Sequence, residues 1–199
     1  MINKDSWFLT LTIKSWYILI PLFIVYLATI TSKIKKRGES YSKFQYITLI
    51  TLGIYILSVI ALTLFPIDVN WGMYRNLTPW YARINPIPII TIDLTTFILN
   101  IIMLVPYGVY QWLLVKEDKI CWEHVATKSF IFSIGIELSQ ILLYIIFNSA
   151  RSVDINDVLA NTLGGIIGYY MIKCVLRNEY FRKLIDQFKL PQKRIIDTV

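Results

Sequence analysis

The stretch RSVDINDVLANTLGGIIGY, residues 151–169, opens on charge and runs into an apolar segment that keeps its polar and small residues to one side. At a helical step of about 100° per residue, Asp154, Asp157, Asn161, Gly164, Gly165 and Gly168 fall on one stripe roughly 100° wide. The rest of the helix is aliphatic or aromatic. An apolar helix with one polar, glycine-lined edge is suited to meeting another element along that edge.

Composition says where such a helix belongs. Of the 199 residues, 56% are hydrophobic and only 17% charged, with mean hydropathy +0.56. A soluble domain is nearer 45–50% apolar and about 25% charged. Several apolar runs approach the ~20 residues that cross a bilayer. The chain therefore reads as an all-α integral membrane helical bundle of about five transmembrane helices, with no room for a sizeable soluble domain. The spans are expected at about 10–32, 46–65, 97–115, 129–147 and 157–176, with a kink at Pro21 in the first. Residues 66–96 carry Pro66, Pro79, Pro86 and Pro88 together with Trp71, Trp80 and Tyr81. Proline opposes continuous helix, and Trp and Tyr favour the membrane–water interface. That segment reads as an outer loop against the membrane, either a plain connector or one with a short re-entrant piece.

Charge sets the expected orientation. Fourteen Lys and Arg residues fall in the loop after span one, the 116–128 connection and the tail; five fall on the other side, and Lys173 sits at a helix end. The richer side should be cytoplasmic, with the N-terminus outside and the C-terminus inside. The main cluster, 33–37, follows the first apolar run rather than preceding it, so that run reads as an uncleaved anchor. Cys121 and Cys174 then face a reducing compartment. The net charge of +7 is accounted for by this bias, and no basic patch interleaved with aromatics points to nucleic acid. The lone His124 and the two cysteines give no metal spacing and no nucleophilic triad, and no cofactor is implied.

In this topology the outer side collects a polar set. Asn100 enters near the top of span three, and Arg151, Asp154 and Asp157 precede span five, with Asn161 one turn below. Glu137 lies about 15 Å deep in span four at 1.5 Å per residue, with Gln140 one turn nearer the outside. A mid-membrane carboxylate costs about 2.5–3.5 kcal/mol on insertion scales unless paired, protonated or hydrated. Glu137 is thus expected either to keep its proton or to be hydrogen-bonded into a pocket with Gln140, Asn161 and Asn100. Gly164, Gly165 and Gly168 would let spans four and five approach closely. Asp154 and Asp157 have two open readings: capping of the helix N-terminus, or binding of a cation or cationic substrate.

Several ordered motifs share this region: Thr63-Leu-Phe65-Pro66, Arg83-Ile-Asn85-Pro-Ile-Pro88, Asn100-x5-Pro106-x-Gly108, Glu137-x2-Gln140, and Arg151-x2-Asp154-x2-Asp157-x3-Asn161-x2-Gly164-x3-Gly168-Tyr169. Together they resemble the VanZ-like family of small bacterial membrane proteins, over about residues 60–172. Pro86 and Ile89 in the loop, and Leu104 and Tyr107 around the span-three proline, depart from the family's usual pattern. The resemblance implies a multi-pass bacterial cell-membrane protein, linked in some members to reduced susceptibility to teicoplanin-type glycopeptides. It divides the chain into membrane helices with a basic loop (1–59), a VanZ-like membrane domain (60–172) and a basic cytoplasmic tail (173–199).

The favoured role is non-enzymatic. An outward pocket of Asn85, Asn100, Glu137, Gln140, Arg151, Asp154, Asp157 and Asn161 would engage a lipid-linked cell-wall precursor or a lipoglycopeptide antibiotic, with membrane lipids as constant partners. One alternative is an intramembrane enzyme on polyprenyl- or phospholipid head groups, with Glu137 or Asp157 as acid or base and Arg151 as phosphate clamp. A small transporter or flippase is the third.

Overall fold

The computed structural model describes residues 7–37, 41–73, 75–115 and 120–190. Lys4, Lys116, Lys119, Lys193 and Arg194, which enter the charge count, and the end of the tail lie outside these residues. The elements in order are β1 (Phe8–Ile13), α1 (Ser15–Arg37), α2 (Lys43–Leu64), β2 (Ile67–Gly72), a 3₁₀ turn (Trp80–Arg83), β3 (Ile84–Asn85), α3 (Leu94–Leu114), α4 (Trp122–Phe147), β4 (Val153–Asp154), α5 (Ile155–Val175) and α6 (Glu179–Asp186). The chain is a mostly helical bundle, and α1 to α5 are long and apolar enough to cross a membrane.

Local signals set the helix ends. The Ser42 hydroxyl accepts from Gln45 N–H at 3.3 Å while the Gln45 side chain accepts from Ser42 N–H at 2.9 Å, a reciprocal cap that starts α2. Pro66 disfavours helix at Phe65 and stops it. Asp93 caps α3, its carboxylate accepting from Thr95 N–H at 3.2 Å. The α4 helix closes on Asn148 in the left-handed region (φ 57°), a conformation asparagine tolerates better than most residues.

Three boundaries differ from expectation. The first span starts at Ser15 rather than near residue 10, because Phe8–Ile13 alternates threonine with aliphatic residues and pairs antiparallel with β2, Phe8 opposite Gly72 and Ile13 opposite Ile67. The fourth begins at Trp122 rather than Ser129. Glu123 and Lys128 stay exposed along this added helix, while Val125 and Ser129, one turn apart, are fully buried. The tail also contains α6, whose Tyr180, Phe181 and Leu184 are exposed while Ile185 packs against Trp112, Leu113 and Ile172.

The α5 helix is the axis. In its apolar window 44% of residues are buried, against 6% in α1, which packs chiefly on α2. Helices α3 and α5 run parallel with backbones in contact. A methyl carbon on Gly164 would lie 2.3 Å from Ile101 O, one on Gly168 2.0 Å from Val105 O, and one on Gly108 2.0 Å from Gly165 O. Only hydrogen fits at these crossings. Antiparallel α4 lies against the neighbouring face: Gly165 meets Ser129 Oγ, and Asn161 Nδ2 donates to Ser133 Oγ at 2.8 Å. Gly164 and Gly168 therefore bring span five to span three, and only Gly165 serves the contact with span four.

Candidate polar site at the acidic end of the bundle

The C-termini of α2 and α4 and the N-termini of α3 and α5 share one end, where loop 66–93 folds over them. This loop is latched, element by element. Trp71 Nε1 donates to Ile146 O at 2.9 Å. Asn148 grips the Asn76 backbone twice: its Oδ1 accepts from Asn76 N–H at 2.6 Å and its Nδ2 donates to Asn76 O at 3.1 Å. The Tyr144 hydroxyl donates to Thr78 O, and the Arg83 guanidinium stacks over the Tyr144 ring at 5.4 Å. Strands β3 and β4 pair in parallel, Ile84 with Val153 and Asn85 with Asp154. These contacts hold the start of α5 beneath the loop.

Asp154 is occupied on both carboxylate oxygens. One accepts from Asn156 N–H at 2.8 Å, capping α5, and the other from Asn85 Nδ2 at 2.9 Å. Its own N–H donates to Glu137 Oε2 at 3.2 Å. Buried Glu137 therefore reaches the start of α5 through a backbone donor, while Gln140 turns to α2 and donates to Thr63 O at 3.1 Å. Asn100 and Asn161 form no hydrogen bond with Glu137 among the described residues; Asn100 lies beside the Asp157 carboxyl, and Asn161 bonds Ser133. The eight residues singled out in the sequence thus divide into two groups. Asn85, Glu137, Asp154 and Asn161 belong to the packing network inside the bundle. Asn100, Gln140, Arg151 and Asp157 line a cavity.

That cavity has a volume of about 550 Å³ and sits between α2, α3, α4, the α4–α5 connection and the start of α5. Thr63 and Thr96 add to its polar side. Its apolar wall is made by Leu62, Leu99, Ile102 and Met103. Leu62, Leu99 and Ile102 are also exposed on the flank of the bundle, at 70%, 60% and 59%. The space is therefore continuous with surface that lipid would cover. Arg151 donates to Pro66 O at 3.3 Å, and among the described residues no ion pair joins it to Asp157. The buried Gln140 Oε1 has no hydrogen-bond partner among the described residues. Above the cavity, the Thr96 hydroxyl (2.5 Å) and the Thr95 N–H hold the Asp93 carboxyl below the ordinary carboxylate range. No group of three or more His, Cys, Asp or Glu among the described residues is arranged to hold a metal ion.

The family model described as VanZ/LLP1 matches residues 52–177. The chain belongs to this family. The matched segment contains the cavity, the latched loop and the α3–α5 crossing, and leaves out β1, α1 and α6. Among curated proteins and solved structures, nothing matches the chain significantly.

Sequence reasoning passed over Asn156, which is buried and fastens the loop: its Oδ1 accepts from Ile89 N–H at 2.8 Å and its Nδ2 donates to Thr91 Oγ1 at 3.2 Å. It lies off the stripe of Asp154, Asp157 and Asn161, and the stripe drew the attention. A signal was present, since an asparagine two residues into an apolar helix needs partners. Asn148 was missed too, although Asn followed by Ser after a long apolar run is a helix-stop pattern.

Proposed function

We propose that this VanZ-family membrane protein holds the polar head of a lipid-tailed envelope component in the cavity of Asn100, Gln140, Arg151 and Asp157, and that its engagement lowers susceptibility to teicoplanin-type lipoglycopeptides. The reading is supported by one observation above all: a charged and amide-lined recess whose other wall is apolar and continuous with the lipid-facing flank. That is the shape of an amphiphile. A recess of about 550 Å³ lies within the range of roughly 300–1,000 Å³ usual for ligand pockets. It admits a phosphate or sugar head group and the start of a chain, not a whole glycopeptide, which favours a lipid-linked cell-wall precursor as occupant. The basic residues at the opposite end support an orientation in which the recess faces outward and the protein sits in a bacterial cell membrane.

Arg151 supplies a planar donor for phosphate, Asn100 donates to neutral oxygens, and Gln140 Oε1 and Asp157 accept from hydroxyl or amine. The test is expression in a sensitive host with teicoplanin and vancomycin susceptibility measured for wild type, Asp157→Asn and Arg151→Gln. Protection against teicoplanin should vanish in both variants at matched protein levels. Undiminished protection removes the cavity from the mechanism.

A second reading draws on the placement of Arg151 and Asp157 on one cavity wall without an ion pair between them. A phosphate clamp and a carboxyl side by side can serve acid–base chemistry on a lipid head group. Purified protein that alters the chromatographic profile of labelled cell-wall lipids, with Asp157→Asn inert, would replace the binding role with this one.

A further inference from the structure

The recess at the acidic end shares its seam with another cavity. Toward the opposite ends of α2 and α3, a space of about 360 Å³ is walled by Thr48 and Thr51 on α2, by Pro106, Val109 and Leu113 on α3, and by Phe188. We propose that the α2–α3 seam holds the tail of the ligand whose head occupies the recess, and that it takes a single polyprenyl chain rather than a pair of acyl chains. This rests on the reading of the recess as a lipid head-group site.

One stripe on each helix joins the two cavities. On α3 it is Leu99, Met103, Pro106, Tyr110 and Leu113, whose alternating steps of four and three residues keep to one face. On α2 it is Thr48, Thr51, Tyr55 and Leu62, which share a face in the same way. The helices run antiparallel, so Leu62 and Leu99 stand at the recess and Thr48 and Leu113 at the other end. The edge of α3 that carries Gly108 is packed on α5 and points elsewhere. Midway, Tyr55 crosses the seam: its hydroxyl donates to Met103 O at 2.9 Å and its ring stacks on Tyr110 with centroids 5.5 Å apart. Tyr55 is half-buried, and its ring is the surface over which a chain passes from one cavity to the other.

The far stretch makes no polar demand on its occupant. The Thr51 hydroxyl donates to Ile47 O at 2.8 Å and the Thr48 hydroxyl to Phe188 O at 2.8 Å, so both threonines are satisfied within the protein. Among the described residues no charged side chain lines this cavity. Ile47 and Thr51 are exposed beside it, as Leu62, Leu99 and Ile102 are beside the recess. Both cavities therefore open sideways onto surface that lipid covers, and a tail enters laterally from the bilayer.

Length separates the two kinds of tail. At ~1.5 Å per residue, the stripe from Leu99 to Leu113 rises about 21 Å. One leaflet gives a chain about 15 Å, half of the ~30 Å hydrocarbon core. A groove that starts at a head group on one face thus continues past the midplane, deeper than the acyl chains of that leaflet run. A polyprenyl tail is both longer and single, and the seam offers one lane between two helices. A glycerophospholipid would leave its second chain outside the lane and the far cavity unfilled. Lipid tails are as apolar as the groove, so the preference comes from packing along that length rather than from leaving water.

The full-length protein should be reconstituted in phosphatidylcholine nanodiscs doped with undecaprenyl phosphate, farnesyl phosphate or dioleoyl phosphatidic acid at equal mole fraction, and native mass spectrometry should count the probe retained. Wild type should hold undecaprenyl phosphate about tenfold more tightly than either of the others. Thr51→Trp and Val109→Trp each put an indole into the far cavity and should abolish that preference. Both should still hold farnesyl phosphate as wild type does, which also reports that the recess has folded. Equal retention of the long and short polyprenyl phosphates by wild type, or a preference that survives both tryptophan variants, would overturn the groove. Dioleoyl phosphatidic acid held as tightly as undecaprenyl phosphate would overturn the polyprenyl class. Arg151→Gln probes the head-group reading separately and should weaken all three probes alike. Unchanged retention in that variant, with the chain-length preference intact, would refute the head-group reading alone.

Discussion

Replacing Gly168 by alanine puts a methyl carbon 2.0 Å from the carbonyl oxygen of Val105, with the carbonyl carbon at 2.9 Å. Comfortable contact is roughly 3.5 Å, so the two backbones must part by about 1.5 Å at that crossing. Neither partner can rotate aside, because the obstruction is main chain on both helices. A gap of 0.5–1 Å already forfeits about a quarter to a half of each dispersion contact, so the α3–α5 interface loses much of its packing. Overpacking of this kind costs about 1–3 kcal/mol, and a backbone–backbone clash belongs at the upper end. Gly135 on α4 is the internal control. Among the described residues nothing lies within 4 Å of a methyl carbon built there, and the position is exposed. Alanine at 135 should be neutral or stabilising by up to about 1 kcal/mol through helix propensity. Reversible unfolding in mixed micelles by added denaturing detergent, followed by tryptophan fluorescence, reports both. The expected separation between Gly168→Ala and Gly135→Ala is about 3 kcal/mol. Equal midpoints for the two would refute the claim that the α3–α5 crossing depends on missing side chains. The same displacement would move Asp157 away from Asn100, so Gly168→Ala should also weaken whatever the cavity binds.

Asn156→Ala removes the acceptor of Ile89 N–H and the donor to Thr91, and should cost about 1–3 kcal/mol, with hydrogen exchange rising at residues 86–92 and unchanged in mid-α3. Asn148→Ala loses both bonds to Asn76 and places alanine in the left-handed region, so the 75–80 segment should become protease-sensitive; Asn148→Asp, which keeps one acceptor, should be intermediate. The Asp93 carboxyl is depressed chiefly by the Thr96 hydroxyl, so its capping contribution is present above the ordinary carboxylate pKa and fades as pH falls through its lower folded value. Thr96→Val should shift the Asp93 titration, followed by carboxyl carbon NMR, back toward the ordinary range; an unmoved titration would show that the Thr96 bond does not hold it.

The bundle was legible because a membrane leaves so few choices. Five runs of apolar residues in a chain this poor in charge must become helices that satisfy their own backbones, and composition alone carries that conclusion. Boundaries were less legible where two solutions compete locally. Phe8–Ile13 is apolar enough to extend a span, and only the presence of β2 at the other side of α2 turns it into a strand. Residues 122–128 look like a polar connection until Val125 and Ser129 are seen to share a buried edge. The polar site shows the same division. The sequence stripe of Asp154, Asp157 and Asn161 is real as a helical face, yet its three residues meet three different neighbours: Asn85 in the loop, Asn100 on α3 and Ser133 on α4.

For the stretch at 151–169, the sequence by itself determined that its apolar part is helical, that it is apolar enough for a membrane, and that its polar and small residues share an edge. Those properties follow from local spacing and from the cost of bare backbone in lipid. Only the tertiary structure decided what lies along the edge. Hydrogen bonds and close packing act over a few ångströms, so a partner 60 residues away in the chain is set by how α3 and α4 seat on α5. That seating sends Glu137 and Asp154 into the packing network and leaves Arg151 and Asp157 facing an open recess.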